Sequence, residues 1–240
     1  ALTQTENTQP CLFLTDLACA RALEAAGIKA DVAAGFSLGE LPALAFAGVL
    51  SDDDAFRLVT LRGQKMSECA AKHPGSMVAA LKLDNAKVEE VCAGFKNVYP
   101  VNYNCPGQIV ISGSIEGINK ACELMKAAGA KRALPLKVGG AFHSPLMNPA
   151  KVELEAAINA TEIHAPKCPV YQNVDAMPHT DPVEIKKNLV AQLTASVRWT
   201  QTVKNMVADG ATDFTECGPG AVLQGLIKKI APEATAHGIA

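Results

Sequence analysis

The chain has 240 residues, 49% of them hydrophobic, 19% charged and 5% aromatic, enough for a substantial Ala/Val/Leu/Ile-rich core. Lys and Arg number 22 against 24 Asp and Glu, a formal net charge of −2 without a basic stripe, which speaks against a nucleic-acid partner. No apolar run approaches the roughly 18 residues of a membrane helix, and Ala1-Leu2-Thr3-Gln4 opens no secretory signal, so no membrane partner and a cytoplasmic location are expected. The eight cysteines are scattered without a C-x-x-C pair, which in an enzyme-sized chain fits reduced thiols better than disulfides.

Residues 1–7 are polar and read as loose. A helix is predicted from Gln9-Pro10, buried through Leu12, Leu14, Leu17, Ala18, Ala20, Leu23 and Ala25, and stopped by Ala26-Gly27. Next comes a short apolar run, Asp31-Val32-Ala33-Ala34, then Gly35-Phe36-Ser37-Leu38-Gly39-Glu40, then an amphipathic stretch from Leu41. Strand, sharp turn and helix around Gly-x-Ser-x-Gly is the pattern of a nucleophile elbow, in which small residues let a strained turn present the serine hydroxyl. The amides after Ser37 then open a helix and can hold an oxyanion. The same residues also fit a Gly-rich turn whose serine caps the helix.

Ser51-Asp52-Asp53-Asp54 reads as an N-cap with acids in the first turn of a helix running to about Lys72. From Ser76 to Val138 the order is strand, helix, strand, strand, helix, strand, the split βαβ of a ferredoxin-like unit. The last stretch returns to α/β alternation. Helices are predicted over 145–160, 182–193, 199–209 and 221–230, and strands over 169–175 and 213–217, with parallel strands and crossover connections expected. The predicted architecture is α/β, with a large domain over residues 1–75 and 139–240 and an inserted small subdomain over 76–138.

A serine nucleophile needs a base, and the chain has five histidines. His143 stands in Gly139-Gly140-Ala141-Phe142-His143-Ser144-Pro145, a Gly-rich loop at the junction of the two parts, where a side chain can face a cleft or equally cap a helix. A hydrolase order would instead pair Ser37 with Asp213 or Glu216 and with His237. His237 lies in the tail without a preceding predicted strand.

Five motifs occur in order: Gly35-Phe36-Ser37-Leu38-Gly39-Glu40, Leu61-Arg62-Gly63-Gln64-Lys65-Met66, the run Asn102 to Gly113, Ala141-Phe142-His143-Ser144-Pro145-Leu146-Met147 and Glu216-Cys217-Gly218-Pro219-Gly220. Together they resemble the malonyl-CoA:acyl carrier protein transacylase family over about Gln9 to Ile230. The resemblance implies an α/β-hydrolase-like large domain and a ferredoxin-like small one. It implies transfer of malonyl from coenzyme A to the phosphopantetheine thiol of acyl carrier protein in fatty acid or polyketide biosynthesis. Ser37 would be the nucleophile, His143 the general base, and the Leu38 amide an oxyanion donor. Arg62 would pair with the malonyl carboxylate, which a guanidinium matches with two parallel bonds. Phe142 would exclude an α-methyl branch, and the Gln192 backbone carbonyl would orient His143. Malonyl-CoA enters as substrate, and no metal or other cofactor is expected. Lys131, Arg132, Lys228 and Lys229 are candidate contacts for an acidic carrier protein.

One departure stands out. Members of the family open with a buried strand and a Gly-Gln-Gly-Ser-Gln loop whose first glutamine supplies a second oxyanion amide. This chain opens instead on Ala1-Leu2-Thr3-Gln4-Thr5-Glu6-Asn7-Thr8-Gln9-Pro10. The expectation is an N-terminally incomplete form, weak in catalysis, whose elbow strand has a bare apolar edge.

Overall fold

The computed structural model describes residues 2–240 as a mixed α/β fold. Helix α1 spans Thr5–Ala25, earlier than the Pro10 signal implies, because Gln4 O accepts from the amides of Asn7 and Thr8 and closes a turn ahead of the proline. The elbow strand β1 is short, Ala33–Ala34, and pairs in parallel with β6, Val170–Tyr171. A single helical turn, Ser37–Gly39, then leads into α2, Glu40–Phe46. Helix α3, Asp52–Lys72, begins where Ser51 Oγ accepts from the Asp54 amide at 3.0 Å.

The stretch 75–135 builds a four-stranded antiparallel sheet from β2 (Gly75–Leu81), β3 (Val98–Cys105), β4 (Gln108–Ser114) and β5 (Arg132–Pro135), in the order β3-β4-β2-β5. Helices α4 (Asn85–Ala93) and α5 (Ile115–Ala127) cover one face. Alternation along β2 sends Val78 and Ala80 to that helical side and Met77 and Ala79 to the main core, where they join Phe13, Leu44, Leu58 and Ile185. The sheet is therefore buried on both faces, which explains the nearly unbroken apolar run in β2.

After β5 the chain returns beside β2, with the Gly75 amide donating to Gly139 O. Helix α6 covers Asn148–Ala160 after a turn at Pro145–Met147, and α7 covers Pro182–Gln192. Beyond α7 the segment at Val197 bonds to the edge of β3, through Tyr103 N to Val197 O and Val197 N to Val101 O. Helix α8 (Trp199–Ala208), β8 (Asp213–Cys217) and α9 (Val222–Ile230) follow.

Besides the earlier start of α1, three features differ from the sequence reading. The strand expected over 169–175 narrows to β6, and a short β7, Pro178–His179, pairs with it antiparallel. The tail forms a strand, β9 (Thr235–Ile239), parallel to β8. The parallel strands also do not join in one sheet among the described residues: β1-β6-β7 and β8-β9 are separate. The second edge of β1 faces a cavity of about 990 Å³ bounded on its far side by β8 and lined by Leu12, Ala34, Phe36, Trp199 and Phe214.

Candidate active site

The site begins with backbone strain. Ser37 has φ +53°, in the left-handed region that a non-glycine residue enters only when its surroundings fix it. Gly35 makes the turn possible: a Cβ there would lie 1.9 Å from Gly39 O. Asn173, just past β6, completes it. Its Oδ1 accepts from the Ser37 amide and its Nδ2 donates to Gly35 O, both at 2.6 Å. One carboxamide thus takes the place of the strand partner that β6 stops providing, which is why the ladder ends at Tyr171.

Asn173 is itself fixed by Glu40. That wholly buried carboxylate accepts from the Asn173 amide at 2.8 Å and from Gln172 Nε2 at 3.1 Å. Burial pushes the Glu40 carboxyl up to about 7, against the opposing pull of those bonds and of the Arg62 charge.

Ser37 Oγ lies 2.6 Å from His143 Nε2. His143, also left-handed at φ +58°, projects from the loop between β5 and α6. Ser144 pins that loop, donating to Ala141 O and accepting from the Leu146 amide. The other ring nitrogen, Nδ1, lies 3.2 Å from the backbone carbonyl of Gln192. A carbonyl only accepts, so the proton sits on Nδ1 and leaves Nε2 as proton acceptor toward the serine. Burial, and then the Arg62 charge, hold the imidazole down at about 4, so it is neutral at ordinary pH.

Arg62 rises from α3 and is 3% exposed. Its NH2 donates to Ser37 Oγ and to Gln192 Oε1, each at 3.2 Å, and its NH1 donates to Gln9 Oε1 at 2.7 Å. Among the described residues no carboxylate lies within 4.0 Å of this guanidinium. Desolvation lowers Arg62 to about 10, opposed by Glu40. The side-chain amide of Gln192 also donates to Ser37 O at 2.7 Å, so this residue touches all three members of the cluster.

The structure brings Ser37, His143, Arg62 and Gln192 together, with Leu38 in the first turn beyond the serine. Phe142 is buried in the main core with its ring over Gly140, where a Cβ would approach it to 2.6 Å. The alternative acid and base meet elsewhere. His237 Nε2 and Asp213 Oδ1 are 3.2 Å apart on β9 and β8, both more than half exposed. Gln9, Glu40 and Asn173 were missed by sequence reasoning. Glu40 adjoins the elbow motif and could have been suspected, but the other two carry no local signal.

A family model described as an acyl transferase domain matches residues 1–237. A malonyl CoA-acyl carrier protein transacylase of Bacillus subtilis (strain 168) is 43% identical over 233 residues, covering 95% of this chain and 74% of the relative. A crystal structure of an acyl carrier protein S-malonyltransferase from Vibrio cholerae superimposes with a TM-score of 0.96 at 42% identity, over 99% of this chain and 79% of that one. A malonyl-transacylase in complex with its type II PKS acyl-carrier protein gives 0.96 at 40% identity, over 99% and 78%.

Proposed function

This chain belongs to the acyl transferase family, and from that premise we propose that it moves malonyl from coenzyme A to the phosphopantetheine thiol of an acyl carrier protein. The observation that carries the proposal is the Ser37 hydroxyl, 2.6 Å from a neutral imidazole and 3.2 Å from a buried guanidinium that has no carboxylate within 4.0 Å among the described residues. A nucleophile, its base and a cation reserved for an acyl carboxylate meet at one oxygen.

The chemistry runs in two halves. His143 Nε2 takes the Ser37 proton as Oγ attacks the thioester carbonyl, and the carbon–oxygen bond forms while negative charge gathers on the carbonyl oxygen. The Leu38 amide, in the first helical turn where no intrahelical acceptor exists, is the donor that in this reading takes up that charge. The carbon–sulfur bond then breaks, and the imidazolium returns its proton to the coenzyme A sulfur. In the second half His143 takes the proton of the carrier thiol, and the thiolate attacks the malonyl-serine ester and forms the new carbon–sulfur bond. The carbon–Oγ bond breaks, and the proton goes from the imidazolium back to Ser37 Oγ. A carbonyl, not a carboxylate, backs His143, so the imidazolium is a comparatively strong acid, suited to protonating a leaving thiolate. Throughout, Arg62 pairs with the malonyl carboxylate, trading its bonds to Ser37 and Gln192 for it. Phe142, beside His143, is the residue assigned to keep out an α-methyl branch.

Residues 76–138 are read as a ferredoxin-like subdomain inserted in an α/β-hydrolase-like domain formed by 1–75 and 139–240. The sheet order β3-β4-β2-β5 with two helices on one face supports that reading. At one end of this sheet a cavity of about 480 Å³ is lined by Lys82, Lys131, Arg132 and Lys229 and by no carboxylate residue. Its charge suits the acidic surface of a carrier protein.

Intact-mass measurement after incubation with malonyl-CoA tests the reading. A single malonyl adduct is expected on the wild type and none on Ser37→Ala. An adduct that persists in the variant would move the chemistry to another nucleophile.

A further inference from the structure

We infer that Gln9 is a specificity-determining positioning residue, one that aims Arg62 at the acyl group and, by being uncharged, leaves the guanidinium in need of a carboxylate. The inference rests on the assignment of Arg62 to the malonyl carboxylate and adds a residue that this assignment does not contain.

Gln9 lies on α1 and is 5% exposed. Its Oε1 accepts from Arg62 NH1 at 2.7 Å, and its Nε2 donates to Met66 Sδ at 3.2 Å. The orientation of the amide is dictated by chemistry, since a guanidinium has only donors and the thioether only accepts. Contact across this pair depends on Gly63, the next residue on α3. A Cβ there would meet Glu6 Cα at 3.1 Å and Thr5 O at 3.2 Å and push α1 away by a few tenths of an ångström, so the bare backbone favours the close approach by which Gln9 reaches Arg62. The glycine of the Leu-Arg-Gly-Gln motif thus has a mechanical reason.

Two consequences follow from the geometry. A planar guanidinium anchored through NH1 cannot rotate freely about its long axis, so NH2 stays directed at Ser37 Oγ and Gln192 Oε1. Those two acceptors are neutral and exchangeable, whereas a substrate carboxylate would bring charge into a desolvated site. An acid at position 9 would reverse this. It would neutralise Arg62 from inside the protein and remove the advantage of a malonyl over an acetyl thioester.

The test compares serine loading from malonyl-CoA and acetyl-CoA, as kcat/KM by intact mass, for the wild type, Gln9→Glu, Gln9→Met and Arg62→Ala. Gln9→Glu preserves shape, and its malonyl-to-acetyl ratio should fall between roughly tenfold and a hundredfold, the scale of one charge-assisted bond. Gln9→Met removes the anchor without adding charge, and should lower the malonyl kcat while the ratio falls less. Melting temperatures identify variants that merely unfold. Equal losses for both acyl groups in Gln9→Glu would overturn the inference and reduce Gln9 to a packing residue. An unchanged ratio in Arg62→Ala would instead overturn the parent assignment, so the two failures are distinguishable.

Discussion

Replacing Arg62 by alanine should separate malonyl from acetyl chemistry. The guanidinium is 3% exposed and its hydrogen-bonded acceptors, Gln9, Ser37 and Gln192, are all uncharged. A malonyl carboxylate entering this site would lose most of its water and depend on Arg62 for compensation. Removing one partner of a desolvated pair costs about 3–5 kcal/mol, or roughly two to four decades in kcat/KM. Acetyl carries no such charge and should lose about one decade, from the looser placement of Ser37 and Gln192. A second consequence can be read in the same variant. The Arg62 charge is one of the causes that hold His143 down at about 4, so its removal raises the imidazole pKa. The base works when neutral. Activity is therefore present above that pKa and lost as pH falls through it, and the acid limb should move to higher pH in the variant. The assay is loading of Ser37 followed by intact mass from pH 4 to 8, with acetyl-CoA used for the profile so that substrate charge does not intervene. Equal losses for the two thioesters, or an acid limb that stays in place, would refute the reasoning.

The elbow offers two further predictions. Asn173→Ala deletes both 2.6 Å bonds to Gly35 and Ser37, so the acylation rate should fall by about tenfold to a hundredfold and the protein should melt earlier; a variant that loads malonate at the wild-type rate would show that the turn holds itself. Glu40 is raised on folding from 4.5 to about 7, so its stabilising contribution is full below about 4.5 and is lost as pH rises through about 7. The difference in urea stability between wild type and Glu40→Gln should therefore change by on the order of 3 kcal/mol between pH 4 and pH 8. A difference independent of pH would mean that Glu40 does not titrate in this range.

Local chemistry in the sequence determined most of the elements and the centre of the site. Caps act within a turn, so Ser51 marks the start of α3 in the sequence, and the structure shows the same local device at Asp84, Ser114 and Asp181. The continuous apolar run Ile109-Val110-Ile111 just after the Pro106-Gly107 turn locates β4, and β8 covers the predicted 213–217. The elbow, too, is written in five consecutive residues, and Gly35 is needed because a side chain there would strike the backbone of Gly39 and Glu40. Tertiary structure alone decided which polar groups meet around it. Ser37 and His143 are 106 positions apart, Arg62 and Gln9 are 53 apart, and Ser37 and Asn173 are 136 apart. It also decided where strands stop: β6 ends at Tyr171 because Gln172 and Asn173 turn their amides to Glu40 and the elbow, and β9 exists because β8 offers its edge to a tail with little strand character of its own. A glutamine in a helix or an asparagine after a strand carries no mark of its partner. Its role is settled by whichever buried donor or acceptor the packing of distant segments leaves opposite it.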